Sequence, residues 1–265
     1  MKVQEEIITL VALAAKTTGV DVMLVGAYAR DYWREHCQVP GRLRATCDVD
    51  FACQVMSWGD FFALLECLKS KYGLLADRGS KHRLWLRDEI SLDLLPYGGI
   101  ADQNGEVAWP PDFETTLCVL GYAAAKKDAA IAHVGGCPIK VIRPHWLALL
   151  KLLAYTENTT RTKDLIDVYY LVDNYFDFID EDLRLYAVAA RDADLLEEDN
   201  YDSRVAGARM IVRDCTRTSS DDTGRILAKI VGFNQHDRLT LEFARINGLE
   251  TDIAHRIISG LQAEV

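Results

Sequence analysis

Two aspartates lie two residues apart inside a short apolar run, and this pair constrains the fold more than any other feature. The run reads Ala-Thr-Cys-Asp-Val-Asp-Phe, with the carboxylates at Asp48 and Asp50. Successive side chains of a strand point to opposite faces, so both carboxylates would share one face, with Val49 and Phe51 buried behind them. Two bare carboxylates held so close repel each other, and a divalent cation such as Mg²⁺ relieves that repulsion. The alternative interpretation is a solvent-facing pair at a strand end. An Asp-x-Asp motif without further evidence favours this alternative, because short motifs have low specificity.

A strand-to-helix turn precedes this pair. The apolar segment 21–25 predicts a short buried strand, and the small residues Gly26 and Ala27 then open a helix that contains Arg30. Small residues at such a turn let backbone amides and the helix N-terminus approach an anion. A phosphate cradle followed by a carboxylate pair, on a strand predicted at about 47–53, is what phosphoryl or nucleotidyl transfer requires.

A third carboxylate lies in another apolar segment. Asp93 stands in the run Ser-Leu-Asp-Leu-Leu-Pro, which predicts a strand over 90–95. An ionised carboxylate among apolar neighbours costs free energy unless it is paired or binds a metal. An exposed position at a sheet edge is the alternative, and taken alone the residues leave the two even. We expect this strand to lie beside the one that holds Asp48 and Asp50, so that three carboxylates converge.

A second polar cluster follows in a segment that reads helical. Lys151 stands in an apolar helix predicted over 146–155, where a lysine ordinarily extends its ammonium group to the surface. The first turns of the next helix then carry two basic and two acidic residues: Arg161, Lys163, Asp164 and Asp167. A solvated set of ion pairs, with acids compensating the helix dipole, is one interpretation. Neutralisation of a bound triphosphate by Lys151 is the other.

The character of the chain changes at Pro144. Residues 1–143 mix strand and helix patterns, whereas nearly everything after them reads helical. We therefore expect two domains, an α/β domain over 1–143 and a helical domain over 144–265. Within the first, Ser57 is the predicted N-cap of a helix that extends to about residue 72.

Composition bounds the class of protein. The chain has 265 residues, 49% of them hydrophobic, and a formal net charge of −10. A uniformly acidic protein is a poor non-specific binder of nucleic acid, because such binding depends on basic side chains that neutralise phosphates. The acidic charge is still compatible with binding of a short tRNA end. The seven cysteines are scattered and form no CxxC pair, and no apolar run is long enough to span a membrane. We expect a cytoplasmic protein with no membrane partner.

These residues resemble the signature of the DNA polymerase β-like nucleotidyltransferase superfamily. The order of Gly26 and Ala27, then Asp48-Val-Asp50, then Asp93 within Leu-Asp-Leu matches that signature, and the rough spacing matches as well. There is one departure, because the superfamily's small pair is usually Gly-Gly or Gly-Ser. Alanine at position 27 keeps the backbone amide but removes any hydroxyl contact to phosphate.

A narrower resemblance is to the AbiEii-type branch, which includes toxins of type IV toxin–antitoxin and abortive-infection systems. It is carried by Arg44 and Thr46 upstream of the carboxylate pair, by Lys151 in its Leu-Lys-Leu-Leu-Ala run, and by the spacing of Lys163 and Asp167. The likeness covers roughly residues 20–175.

The resemblance implies an α+β fold. It consists of a nucleotidyltransferase-type mixed β-sheet with helices on one face, followed by an all-α C-terminal domain that closes the nucleotide cleft. It implies that Asp48, Asp50 and Asp93 hold two Mg²⁺ ions and that Lys151 neutralises phosphate charge. Nucleotide contacts would come from Gly26, Ala27, Arg30, Arg44, Thr46, Lys163 and Asp167.

The implied reaction moves NMP from an NTP, with ATP as one candidate, to an acceptor hydroxyl. The acceptor is left open between an RNA 3′ end such as tRNA, a protein and a small molecule such as an aminoglycoside. A cognate antitoxin is an expected partner if the chain is a toxin. The alternatives are a non-catalytic partner-binding protein on the same fold, an aminoglycoside-type enzyme, and a phosphohydrolase of the HD type. The last would need metal-binding histidines that His236-Asp237 lacks nearby.

Overall fold

A mixed sheet of seven strands carries the first half of the chain, and its order is β3-β4-β5-β2-β1-β9-β8. Strand β2 runs parallel to β5, and β1 runs parallel to β9, while the other neighbours are antiparallel. The strands are β1 (Asp21–Val25), β2 (Asp48–Val55), β3 (Leu75–Ala76), β4 (Arg83–Leu86), β5 (Ile90–Gly98), β8 (Ala130–Val134) and β9 (Cys137–Val141). A separate pair is formed by β6 (Glu106–Ala108) and β7 (Thr116–Cys118).

Helices accompany the sheet and then take over the chain. Those of the first half are α1 (Val3–Thr18), α2 (Gly26–His36), α3 (Trp58–Ser70) and α4 (Tyr122–Lys127). The later ones are α5 (Pro144–Glu157), α6 (Thr162–Asp173), α7 (Ala193–Glu198), α8 (Ser203–Thr218), α9 (Ser220–Phe233), α10 (Arg238–Asn247) and α11 (Thr251–Gln262), with a short 3₁₀ helix at Tyr175–Phe178. The expected α+β class, a mixed sheet with helices followed by a helical region, is confirmed.

The computed structural model describes residues 3–40, 48–178, 193–199, 202–234 and 237–263. The chain forms two compact units. One comprises Met1–Asp31 with Arg42–Arg143, and the other comprises Tyr32–Gly41 with Pro144–Val265. A division into separate domains at residue 143 stays a prediction. No helix within the described residues is long and apolar enough to cross a membrane.

The core of the first unit lies on one face of β2. Val49, Phe51 and Cys53 are fully buried there, where α1 and α3 pack against the sheet. The alternate residues Asp48 and Asp50 are only half-buried, which is the one-sided pattern of a strand with a polar second face. The sheet therefore buries its apolar side and leaves Asp48 and Asp50 partly exposed.

The second unit is built around α5, in which nearly every side chain is buried. Helices α6, α8 and α9 pack against it. Close approach between α8 and the end of α6 depends on Gly207, since a Cβ there would lie 2.8 Å from the carbonyl oxygen of Val172. A helix that is apolar on all sides belongs at the centre of such a bundle.

The start of α3 is fixed by a reciprocal cap. The Ser57 hydroxyl accepts a hydrogen bond from the Asp60 amide at 3.3 Å, and the Asp60 carboxylate accepts one from the Ser57 amide at 2.9 Å. These two bonds satisfy amides that a helix N-terminus otherwise leaves unpaired. The predicted N-cap at Ser57 is confirmed.

We expect Ser57→Ala to lower the free energy of unfolding by about 1 kcal/mol, because it removes the acceptor of this cap. Ser70→Ala is the matched control, since Ser70 is an exposed serine at the other end of α3 that bonds only the Glu66 carbonyl. It should change stability by less than about 0.5 kcal/mol. Denaturant unfolding of both variants measures the difference, and equal values would exclude a stabilising cap.

Candidate active site

The three predicted carboxylates lie on two neighbouring strands. In the parallel pairing of β2 with β5, Asp50 is the register partner of Asp93, and Asp48 is the partner of Ser91. Register partners in a sheet place their side chains on the same face, so Asp93 shares the polar face with Asp48 and Asp50. The strand predicted around Asp93 therefore lies where the sequence placed it, beside the carboxylate pair.

The turn from β1 into α2 touches this face. Gly26 has a φ of +69°, and a Cβ on it would overlap the Asp50 carboxylate. Only glycine permits that backbone conformation without strain and leaves room for the carboxylate. The next predicted residues of the turn are buried: Ala27 is 3% exposed, and Arg30 is 1% exposed with its guanidinium hydrogen-bonded to Asp31. The structure thus brings Gly26 and Asp50 together.

Asp93 carries a partner that the sequence analysis did not assign. Arg83 on β4 donates from Nε to Oδ1 at 2.7 Å and from Nη2 to Oδ2 at 2.6 Å, which engages both carboxylate oxygens. The hydrogen bonds to Asp93 and the charges of Asp93, Asp77 and Asp48 raise the pKa of Arg83, outweighing the opposing effect of partial burial. A guanidinium fork that meets a carboxylate at two points is among the stronger ion pairs.

A sequence signal for this pair existed. The strand patterns around Arg83 and Asp93 are separated by a short polar stretch at 87–89, and pairing of Leu86 with Ile90 around it sets Arg83 opposite Asp93. Charged residues opposite each other in an antiparallel pair are candidates for an ion pair.

The carboxylates suit a hard divalent cation by their chemistry, since all three offer oxygen donors. Within the described ranges, however, no three His, Cys, Asp or Glu residues are placed so as to hold a metal ion. The Arg83 guanidinium engages both oxygens of Asp93. Asp48 and Asp50 lie together on β2, and a cation would compete with Arg83 for Asp93.

The second cluster is buried. Lys151 is 7% exposed, and its ammonium group donates to Asp164 Oδ1 at 2.8 Å and lies 2.8 Å from Asp167 Oδ2. Arg161 Nε donates to the other Asp164 oxygen at 2.6 Å. Asp164 and Asp167 are 5% and 0% exposed, so neither a surface lysine nor a solvated set of ion pairs describes this cluster. The positive charges of Lys151 and Arg161 balance the two carboxylates, as the burial of those carboxylates requires.

Burial by itself lowers the pKa of Lys151, but the charges of Asp164 and Asp167 and their hydrogen bonds outweigh it, so its pKa is raised. A lysine with a raised pKa stabilises the fold fully below its ordinary value of 10.5 and loses that contribution as pH rises through the higher folded value. The cluster is therefore intact at neutral pH.

The remaining predicted residues divide into two groups. Lys163 is exposed on the first turn of α6. Arg44 and Thr46 fall outside the described residues. The assigned functions of all these residues stay predictions.

A mixed sheet with carboxylates on adjacent strands at its polar face, followed by a helical region, is the architecture that the nucleotidyltransferase resemblance implies. The chain belongs to the family described as "Nucleotidyl transferase AbiEii toxin, Type IV TA system", whose model matches residues 40–214. It is a nucleotidyltransferase. The matched segment includes all three carboxylates and the Lys151 cluster, and it begins after the Gly26 turn.

Three solved structures are similar to this chain at low sequence identity. One is an antigenic nucleotidyltransferase-like protein from Paracoccidioides brasiliensis, with 16% identity over 76% of this chain and 92% of that one and a TM-score of 0.41. The antibiotic-resistance factor ANT(2'')-Ia in solution gives 16% identity over 75% and 98%, with a TM-score of 0.39. Its complex with adenylyl-2''-tobramycin gives 15% over 78% and 97%, with a TM-score of 0.42. No curated protein shows a significant match.

Gly26→Ala tests the close approach of the turn to Asp50. Gly19→Ala is its matched control, because Gly19 has a φ of +74° but no atom within 4 Å of an added Cβ. Both variants should lose about 1–2 kcal/mol of unfolding free energy to backbone strain. Gly26→Ala should lose about 1–3 kcal/mol more, because Asp50 must move. Equal losses in thermal or denaturant unfolding would contradict the contact.

Lys151→Met should lower the free energy of unfolding by about 3–5 kcal/mol at neutral pH, because it removes the ammonium group that lies between the buried carboxylates of Asp164 and Asp167. Lys163→Met removes an exposed lysine from the adjoining helix and should cost less than about 0.5 kcal/mol. Denaturant unfolding of both proteins provides the measurement. A near-wild-type Lys151→Met would show that the buried cluster does not stabilise the unit.

Proposed function

We propose that the protein transfers NMP from an NTP to an acceptor hydroxyl in a Mg²⁺-dependent reaction, with pyrophosphate leaving. The observation that carries this proposal is the shared face of Asp48, Asp50 and Asp93, with the Gly26 turn against it. Family membership supports the transfer itself, and the oxygen donors support the choice of Mg²⁺.

The metal would be held by Asp48 and Asp50, and by Asp93 once Arg83 is displaced. When bound, Mg²⁺ offsets the charge of the triphosphate and of the attacking and leaving oxygens. Gly26 leaves the Asp50 carboxylate the space it occupies. The carboxylate oxygens of Asp48, Asp50 and Asp93 are therefore of the ligand type that Mg²⁺ prefers.

The protein's own groups would do the rest. The Gly26 and Ala27 amides, at the start of α2, would donate hydrogen bonds to phosphate oxygens, as helix N-termini do. Asp93 would accept the proton of the attacking hydroxyl through an oxygen that Arg83 has released. Lys151 would contribute positive charge toward the phosphates, although in the structure its ammonium group is balanced by Asp164 and Asp167.

The family points to the biological setting. Toxins of type IV systems have a cognate antitoxin, and we propose that such an antitoxin counteracts this protein. We further propose that the protein acts in the cytoplasm. For the acceptor we retain an RNA 3′ end such as tRNA, a protein hydroxyl and a small molecule of the aminoglycoside type. ATP is the first NTP to test.

Transfer of label tests the proposal directly. The purified protein is incubated with Mg²⁺ and each α-labelled NTP in turn, alongside total tRNA, cell lysate protein and an aminoglycoside. Label should appear in one acceptor class and disappear when Mg²⁺ is chelated. Asp48→Asn should abolish it, whereas Asp88→Asn, on the exposed loop between β4 and β5, should not. No label in any fraction with any NTP would contradict the function.

Asp93→Asn separates binding from chemistry. The fold and much of the NTP affinity should survive, because Asp48 and Asp50 still hold the metal that accompanies the triphosphate. Transfer should fall by about two to four orders of magnitude, because the acceptor's proton loses its base. Transfer rate and NTP affinity are measured on the same preparation. Wild-type turnover would show that Asp93 has no part in the reaction.

A further inference from the structure

Arg83 occupies the position on Asp93 that a cation would need. Its guanidinium takes both carboxylate oxygens, at 2.7 and 2.6 Å, and the two residues are register partners across β4 and β5. The contact is therefore set by strand pairing and does not depend on a loop. The two-point contact offsets the charge of Asp93 and takes one lone pair of each oxygen, so a divalent ion must compete with the guanidinium for this carboxylate.

We propose that Arg83 is a positioning residue that withholds Asp93 from the divalent cation until the phosphates of a bound nucleotide draw the guanidinium away. This inference rests on the proposed function, because it assigns an order to events at the same site. It makes cation binding at Asp93 conditional on the nucleotide.

Accessibility makes such an exchange feasible. The Arg83 side chain is 37% exposed, whereas that of Asp93 is 12% exposed, so a ligand reaches the guanidinium before it reaches the carboxylate. The planar fork that fits a carboxylate fits a phosphate equally well, so a triphosphate offers Arg83 an equivalent partner. The guanidinium can therefore change partners without losing its charge-assisted hydrogen bonds.

The local charges favour replacement of one cation by another. Asp77 and Asp48 also act electrostatically on Arg83, so its surroundings are acidic beyond Asp93 itself. Asp77 is held in place, since its Oδ2 accepts a hydrogen bond from Trp85 Nε1 at 2.8 Å. When Arg83 leaves, the acidic face regains its balance only if a cation takes its place. Nucleotide and metal should then support each other's binding, as linked ligands do.

The test measures Mn²⁺ binding by the full chain without nucleotide, from the electron paramagnetic resonance of the free ion. R83M should bind Mn²⁺ about tenfold or more tightly than wild type, which matches the strength of hydrogen bonds between charged groups. R87M is the charge-matched control, because Arg87 is 61% exposed and pairs with Glu6. It should leave the affinity unchanged. R83K keeps the charge but has no fork, and it should also bind more tightly than wild type.

The double variant R83M/D93N identifies the group that is released. If Arg83 withholds Asp93, the gain of R83M disappears in this background, because the freed carboxylate is absent. A gain that persists in R83M/D93N, an equal gain in R87M, or an unchanged affinity in R83M and R83K would each overturn the proposal. Should R83M fail to fold, as judged by circular dichroism, the comparison is made between R83K and R83K/D93N.

A second readout concerns the nucleotide. A triphosphate analogue with a methylene bridge between the α- and β-phosphates should bind R83M about tenfold more weakly than wild type, because its phosphates lose the guanidinium. Unchanged analogue affinity would overturn the exchange. These measurements do not involve transfer. Absent label in the transfer assay therefore refutes the proposed function, whereas normal transfer with unaltered Mn²⁺ binding in the Arg83 variants refutes this inference alone.

Discussion

The parallel pairing of β2 with β5 is the contact on which the rest of the site depends. It makes Asp50 and Asp93 register partners and sets Asp48 opposite Ser91. A slip of one residue would turn every side chain of one strand to the opposite face, sending the carboxylates into the apolar core. Burial of Val49 and Phe51 on the helix-covered side prevents that slip, so the hydrophobic core and the acidic face are fixed by the same register.

Each unit also contains buried carboxylates whose negative charge is offset by a basic side chain, and the two units do this differently. In the sheet unit, Arg83 meets Asp93 at two points near the surface. In the helical unit, Lys151 lies between Asp164 and Asp167 with almost no exposure. The first pair is partly exposed, since the Arg83 side chain is 37% accessible, whereas the second is costly to break because Lys151 and both of its carboxylates are buried. For a chain of net charge −10, such pairs decide where acidic side chains can be buried.

These arrangements relate stability to function in different ways. The Arg83 pair stabilises a form of the sheet in which Asp93, a proposed metal ligand, is already engaged, so the proposed binding of cation and nucleotide would displace a favourable contact. The Lys151 cluster joins α5 to α6 and thereby shapes the centre of the helical unit. The match to the AbiEii family model spans both regions.

The sequence by itself determined those features that depend on neighbours along the chain. Alternation along a strand placed Asp48 and Asp50 on one face, Ser57 marked the start of α3, and the resemblance to nucleotidyltransferases indicated the α+β class. Only the tertiary structure decided the partners of the charges. Arg83 meets Asp93 through strand register, and Lys151 meets Asp164 and Asp167 through the packing of α5 on α6. Periodicity is a local property, whereas the partner of a buried charge depends on how separate segments pack. The short stretch between β4 and β5 was a signal for the Arg83–Asp93 pair, but the partners of Lys151 required the folded protein.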